Sequence, residues 1–201
     1  MVKNLRRSNL LLDSNEKECV KMHDLVRDVA ISIASRDENG FMVVLHKGLE
    51  EWPHKDRYDR YTAISLLLGE MKRHPTELKC PKLQLLQLLC LNLSKTFPYN
   101  LFDGMKELKM LCLQNSCFTL PTLPPSIQIL QNLQMLNLQH CSLGDVSVIG
   151  TLGNLEILGF PDSDIEELPS EIGNLSRLKL LDMKECVFLK QIAAGVLSNL
   201  S

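Results

Sequence analysis

The chain has 201 residues, 45% of them apolar and 23% charged, with a formal net charge of −2, the composition of a soluble globular protein with material for a core. Its 22 Lys and Arg are matched by 24 Asp and Glu, so no basic face marks it as a nucleic-acid binder, which needs clustered cations for phosphate. No run approaches the roughly 20 apolar residues of a membrane span, and the three leucines after the basic start of MVKNLRRSNLLLD are too few for a secretion signal.

Seven cysteines (Cys19, Cys80, Cys90, Cys112, Cys117, Cys141, Cys186) are an odd number without paired spacing. A reducing compartment, and hence a cytoplasmic location, is the expectation. The Asn-Leu-Ser sequons at Asn92, Asn174 and Asn199 would stay unmodified there, because that modification belongs to secreted chains.

Residues 20 to 35 read VKMHDLVRDVAISIAS. Met22, Leu25, Val26, Val29 and Ile33 recur at helical spacing and predict a helix with one buried face. Asp24 is placed to cap its first turn. His23, just before that cap, would lie at the positive end of the helix dipole, where backbone N–H groups attract anions and a neutral imidazole can donate one hydrogen bond to a phosphate oxygen. The plainer alternative is a surface histidine before an ordinary capped helix. Residues 36 to 57 read as a connection.

From residue 58 onward a repeat dominates. The pattern L-x-x-L-x-L appears as Leu83/Leu86/Leu88, Leu108/Leu111/Leu113, Leu133/Leu136/Leu138, Leu155/Leu158/Phe160 and Leu178/Leu181/Met183, with starts 25, 25, 22 and 23 residues apart. That is the period of leucine-rich repeats. A weaker copy is Tyr61/Ile64/Leu66, and Leu200 falls where another unit would begin. Leu86/Leu89/Leu91 followed by Ser94 also fits the template, and only the match to Tyr61 favours a start at Leu83. Each L-x-L predicts a short strand with inward leucines, and no unit can bury its apolar face alone, so neighbours must stack. In ELPSEIGNLSRLKLLDMKEC the return stretch supplies Leu168, Ile172 and Leu175 as a second inward set. The ninth position holds Cys141, Cys186, Ser116 and Ser163, small residues suited to a buried turn out of the strand. The expected fold is an α/β leucine-rich-repeat solenoid, a curved parallel sheet with an irregular or short-helical convex side, over about six repeats.

Catalytic and metal chemistry find little support. His140-Cys141 lacks the arginine that a cysteine phosphatase needs six residues on, where Ser147 stands. Cys112, Cys117, His140 and Cys141 contain no C-x-x-C pair for zinc, and no glycine stands in a phosphate-binding loop. The expectation is a non-enzyme without a metal site.

Strand alternation puts the third, fifth and seventh repeat positions on the concave, solvent side. The third positions form an apolar stripe of Leu85, Met110, Met135, Ile157 and Leu180; the fifth are Gln87, Cys112, Asn137, Gly159 and Asp182; the seventh are Leu89, Gln114, Gln139, Pro161 and Lys184. An apolar band flanked by hydrogen-bonding groups suits a protein partner. The candidate contact residues are Leu85, Gln87, Met110, Gln114, Met135, Asn137, Gln139, Ile157, Leu180, Asp182 and Lys184.

Met22-His23-Asp24 with the helix LVRDVAISIAS, the later WPHKDRYDRYTAISL and CPKLQLL, and repeats such as LPSEIGNLSRLKLLDMKEC together resemble plant nucleotide-binding leucine-rich-repeat disease resistance proteins of the coiled-coil type, across nearly the whole chain. The resemblance implies that residues 1 to 35 are the end of a small helical winged-helix subdomain and that 58 to 201 are repeats truncated at the C-terminus. It also implies that His23, with Met22 and Asp24, approaches the phosphates of ADP in a full-length receptor and helps latch it shut until ATP replaces ADP. This chain lacks the phosphate loop and the rest of the nucleotide fold, so no cofactor is expected on it alone. The expected partners are proteins: a pathogen effector, a guarded host protein, or the receptor's own nucleotide-binding module. The alternative is a stand-alone repeat scaffold, adaptor or decoy without nucleotide control.

Overall fold

The computed structural model describes residues 2–8, 10–13, 20–34, 36, 39–53, 57–73, 78–90 and 98–199, in two compact units dividing between Val43 and Val44. Cys19, Asn92 and Leu200 lie outside the described residues.

The first unit holds a short helix α1 (Val2–Arg7), an antiparallel pair β1 (Leu11–Asp13) and β2 (Val20–Met22), and helix α2 (Asp24–Ala34). Helix α2 forms where the 3.6-residue spacing places it, but its apolar face is not buried: none of its residues is, and Leu25 is 70% and Val29 59% exposed. Spacing sets which residues share a face; burial also needs an apolar surface opposite it. A three-residue hairpin and a two-turn helix supply too little.

The segment expected to be a mere connection carries β3 (Phe41–Glu51), the edge strand of the main sheet. Next to it stand β4 (Ala63–Arg73), β5 (Leu85–Cys90), β6 (Met110–Thr122), β7 (Met135–Asp145) and, after that, β8 (Ile157–Gly159), with β9 (Asp164–Ile165) pairing the far end of β7. A separate parallel pair joins β10 (Glu167–Leu168) to β12 (Gln191–Ile192), while β11 (Leu180–Asp182) closes the main sheet beside β8 and α3 (Val196–Asn199) follows. From β4 to β11 the pairing is parallel and in register, so Ile64, Leu86, Leu111, Leu136, Leu158 and Leu181 form one transverse column. This places the second unit's start at Leu83 and accepts Tyr61/Ile64/Leu66 as a true first copy. The first five of that column are fully buried, each contributing on the order of 1.5–3 kcal/mol of apolar transfer. Leu181, expected in the core, is only half-buried, because β11 has a neighbour on one side alone.

The return segments are 3-10 turns, Pro125–Ile129, Ser147–Thr151 and Ser170–Asn174. They send Ile127, Ile149, Ile172 and then Leu130, Leu152, Leu175 into the core at 0% exposure, and Leu168 joins them, which is the second inward set that the repeat predicts. The turns stack closely: a Cβ on Gly150 would meet the backbone carbonyl of Glu171 in the next turn.

At the eighth repeat position the backbone becomes left-handed without glycine, at His140 (φ 53°), Asp162 (55°) and Glu185 (58°). This conformation is uncommon for residues with a Cβ. It bends the chain there, within β7 at His140 and beyond β8 and β11 at Asp162 and Glu185, and the ninth side chain follows the bend. The Ser163 hydroxyl donates to the Leu138 carbonyl (2.7 Å) and accepts from the Cys141 N–H (2.9 Å). The Cys186 thiol donates to the Phe160 carbonyl (3.0 Å), and the Cys141 thiol reaches the Leu113 carbonyl more weakly (3.9 Å). Small polar ninth residues therefore tie each repeat to the sixth position of the one before. The Ser116 side chain is not among those described.

Candidate functional site

Two places invite function, one in each unit. At the start of α2, the His23 carbonyl accepts from Arg27 N–H (2.9 Å) and its Nδ1 accepts from Leu25 N–H (3.2 Å). His23 is thus the capping residue, and Asp24 is not. The first i to i+4 bond begins at the His23 carbonyl, which leaves Asp24 as the first helical residue with its carboxylate paired to Arg27 at 3.0 Å. With Nδ1 accepting, the imidazole proton sits on Nε2, and His23 is exposed. Met22, in β2, is 40% exposed.

The second place is the open face of the sheet. Along β5, and along β7 from Met135 to Leu138, half-buried and buried residues alternate, so every other side chain leaves the core. Leu85, Met110, Met135, Ile157 and Leu180 stand in one transverse row, of which Met110 is 38% and Leu180 50% exposed. The next row out on the same face is Ser65, Gln87, Cys112, Asn137, Gly159 and Asp182. Here the Ser65 hydroxyl donates to Gln87 Oε1 (3.0 Å) and Asp182 Oδ1 accepts from Lys184 N–H (3.0 Å). Gln114 pairs in register with Gln139, whose amide lies 3.5 Å from the His140 ring. Lys184 is exposed. The structure sets ten of the eleven candidate residues in register on strands β5, β6, β7, β8 and β11, and Lys184 lies two residues beyond β11.

Reading the residues one by one passed over a feature of this face. Asn137 Oδ1 is sealed from water with no hydrogen-bond partner, and it lies 3.2 Å from where a Cβ on Gly159 would stand, with the Asp182 Cβ 3.7 Å away. The signal was available: Gly159 is the one residue without a side chain in its row.

The buried thiols among the described residues are poor nucleophiles and poor metal ligands. Burial pushes Cys80, Cys90 and Cys141 up to about 12, the neighbouring Cys141 adding to the shift at Cys90, and burial also raises Cys112. A protonated thiol neither attacks nor coordinates. Among the described residues no three His, Cys, Asp or Glu gather as a metal site, and no helix is long and apolar enough to cross a membrane.

One parallel strand per 22 to 25 residues, with tight turns behind, defines a leucine-rich-repeat protein. Internalin C2 from Listeria monocytogenes shares this fold with a TM-score of 0.53, over 82% of this chain and 78% of internalin C2, at 18% identity. No protein-family model matches the chain. Over its whole length it is 30% identical to a disease resistance protein of Arabidopsis thaliana, covering 21% of that protein. It is 27% identical to the disease resistance protein UNI of the same plant (100% of this chain, 26% of UNI) and 30% to RPS5 (90% and 23%). The chain belongs with the plant nucleotide-binding leucine-rich-repeat disease resistance proteins, and spans about a fifth to a quarter of the length of these relatives.

Proposed function

We propose that the repeats bind a protein, a pathogen effector or a guarded host protein, across the open face of the sheet. In a receptor of full length, this binding would restrain or release a nucleotide-dependent switch. The observation that carries the reading is the row Leu85, Met110, Met135, Ile157 and Leu180, apolar and in register on a face that packs no core, edged by amides and charges. Apolar centres with polar rims are how protein interfaces are built. The same face could engage the receptor's own nucleotide-binding module, since one surface can serve two partners that favour different states of a switch.

In this reading residues 1 to 35 contribute the phosphate-facing end of a winged-helix subdomain. His23 keeps its Nε2–H free of the cap bond and turns it to an ADP phosphate, a role that rests on the resemblance at Met22-His23-Asp24. The test is a two-hybrid screen against a pathogen effector panel and host proteins, repeated with Met135→Glu/Gln139→Ala/Lys184→Glu. The triple variant should lose the selected partner while its circular dichroism melt stays nearly unchanged, because these side chains leave the core. Undiminished binding by a folded triple variant would place recognition elsewhere.

A further inference from the structure

At the centre of the proposed interface one strand lacks a side chain. Gly159 on β8 faces Asn137 on β7 and Asp182 on β11 in register, and its φ is not in the left-handed region, so the backbone does not demand glycine here. What glycine supplies is room for its neighbours: Gly159 is buried, and the Asn137 Oδ1 and Pro161 Cδ lie 3.2 and 3.4 Å from where its Cβ would stand, so the space opens when the Asn137 amide turns away. Across the gap the flanking Cα atoms stand about two strand spacings apart, roughly 10 Å.

The two walls are both acceptors in waiting. Asn137 Oδ1 is folded down over Gly159 with no hydrogen bond, so turning the amide outward breaks none. Leaving such a group unpaired is unfavourable, and a donor arriving from a partner would relieve it. Asp182 spends one oxygen on the Lys184 N–H, and among the described residues its carboxylate forms no ion pair with a cation. Two further acids stand close to Asp182: Asp162 and Asp164, whose negative charges, like that of Asp182, add to the effect of burial in raising the Cys186 thiol. Of the lysines that flank Asp182 in sequence, Lys184 is exposed and Lys179 is held by Glu156 at 2.8 Å.

We propose that this notch takes an arginine side chain of the protein partner, its guanidinium lying over Gly159 between the Asp182 carboxylate and the outward-turned Asn137 Oδ1. A planar fork with donors on two edges can engage acceptors on both walls at once, whereas an ammonium is a point charge. The row directly below, Met135, Ile157 and Leu180, fits an apolar residue next to that arginine. The proposal rests on the open face being the binding face, and names what the partner must present there.

The test uses the full chain, isotope-labelled, and three probes at millimolar concentration, the range in which so small a ligand binds: acetyl-leucyl-arginine amide and its citrulline and lysine analogues. The arginine probe should move the Gly159 backbone and Asn137 side-chain amide resonances saturably, and the citrulline probe should bind about tenfold more weakly, the loss of one charge-assisted contact. Gly159→Ala, which fills the gap, and Asp182→Asn, which keeps its shape, should each abolish the response. Should Gly159→Ala fail to fold, Asp182→Asn alone decides. Equal binding of arginine and citrulline, a lysine probe that matches arginine, no movement at Gly159, or movement confined to a separate pocket lined by Asp145, Glu166 and Glu167 overturns the notch. Partner capture by the parent chain and its loss in the triple variant do not depend on these outcomes, so the two readings fail separately.

Discussion

Ser163 carries a disproportionate share of the stack. Its hydroxyl is 1% exposed, receives the Cys141 N–H and donates to the Leu138 carbonyl. In Ser163→Ala the Cys141 N–H loses its partner in a place water cannot reach, at a cost of about 1–3 kcal/mol, and the bond to Leu138 goes too, worth about 0.5–1.5 kcal/mol. The sum is about 1.5–4.5 kcal/mol. Trp52, the only tryptophan, is buried within the repeat-bearing unit, so its fluorescence during urea unfolding reports on that unit, and the midpoint should fall without a change in slope. Ser163→Cys should recover much of the loss, since thiols fill this position at Cys141 and Cys186. An alanine variant as stable as the parent, or a cysteine variant as weak as the alanine, would refute the claim that ninth-position donors tie the repeats together.

The core column gives a graded expectation: Leu136→Ala, at a fully buried site, should cost about 2–5 kcal/mol, and Leu181→Ala, on the last strand, clearly less in the same urea assay. Stability should be fully present below the ordinary thiol value of 9.0 and fall as pH rises from there through about 12, where Cys80, Cys90 and Cys141 titrate in the fold. The folded state holds protons that the unfolded chain has released in that window, so urea midpoints should drop at about pH 10 and drop less in Cys90→Ala. The chain by itself should show no calorimetric ADP binding, because one exposed histidine beside a helix start cannot replace a phosphate loop; micromolar binding that vanishes in His23→Ala would overturn this. In a full-length receptor His23→Ala should loosen ADP and signal without a pathogen, whereas Asp24→Val, which removes only an exposed pair with Arg27, should leave the helix nearly unchanged.

The repeat was legible because every unit repeats the same physical demand. Leucines at the fourth and sixth positions must meet their counterparts one strand away, so the spacing of Leu86, Leu111, Leu136 and Leu158 dictates the register, and Ile172 and Leu175 follow from the same period. Strand β3 escaped notice because FMVVLHKGLEE carries no repeat template, and its pairing with β4 is set by the sheet edge instead of by a local pattern. The cap at His23 was misassigned by one residue because sequence favours Asp24 as a cap, while the backbone bond from Arg27 shows where the helix begins. Half-burial at Leu181 is a property of its place in the order of strands, which no local pattern encodes. The notch at Gly159 becomes visible only when residues 22 and 23 apart are set side by side.

The most direct test of the binding face is photocrosslinking with the partner selected in the two-hybrid screen. Benzoylphenylalanine is placed in turn at Met135, on the open face, and at Gln128, exposed on a return turn. Covalent capture of the partner from position 135 and none from position 128 is the expected result. Capture from 128 with none from 135 would contradict it and move recognition to the other side of the repeats.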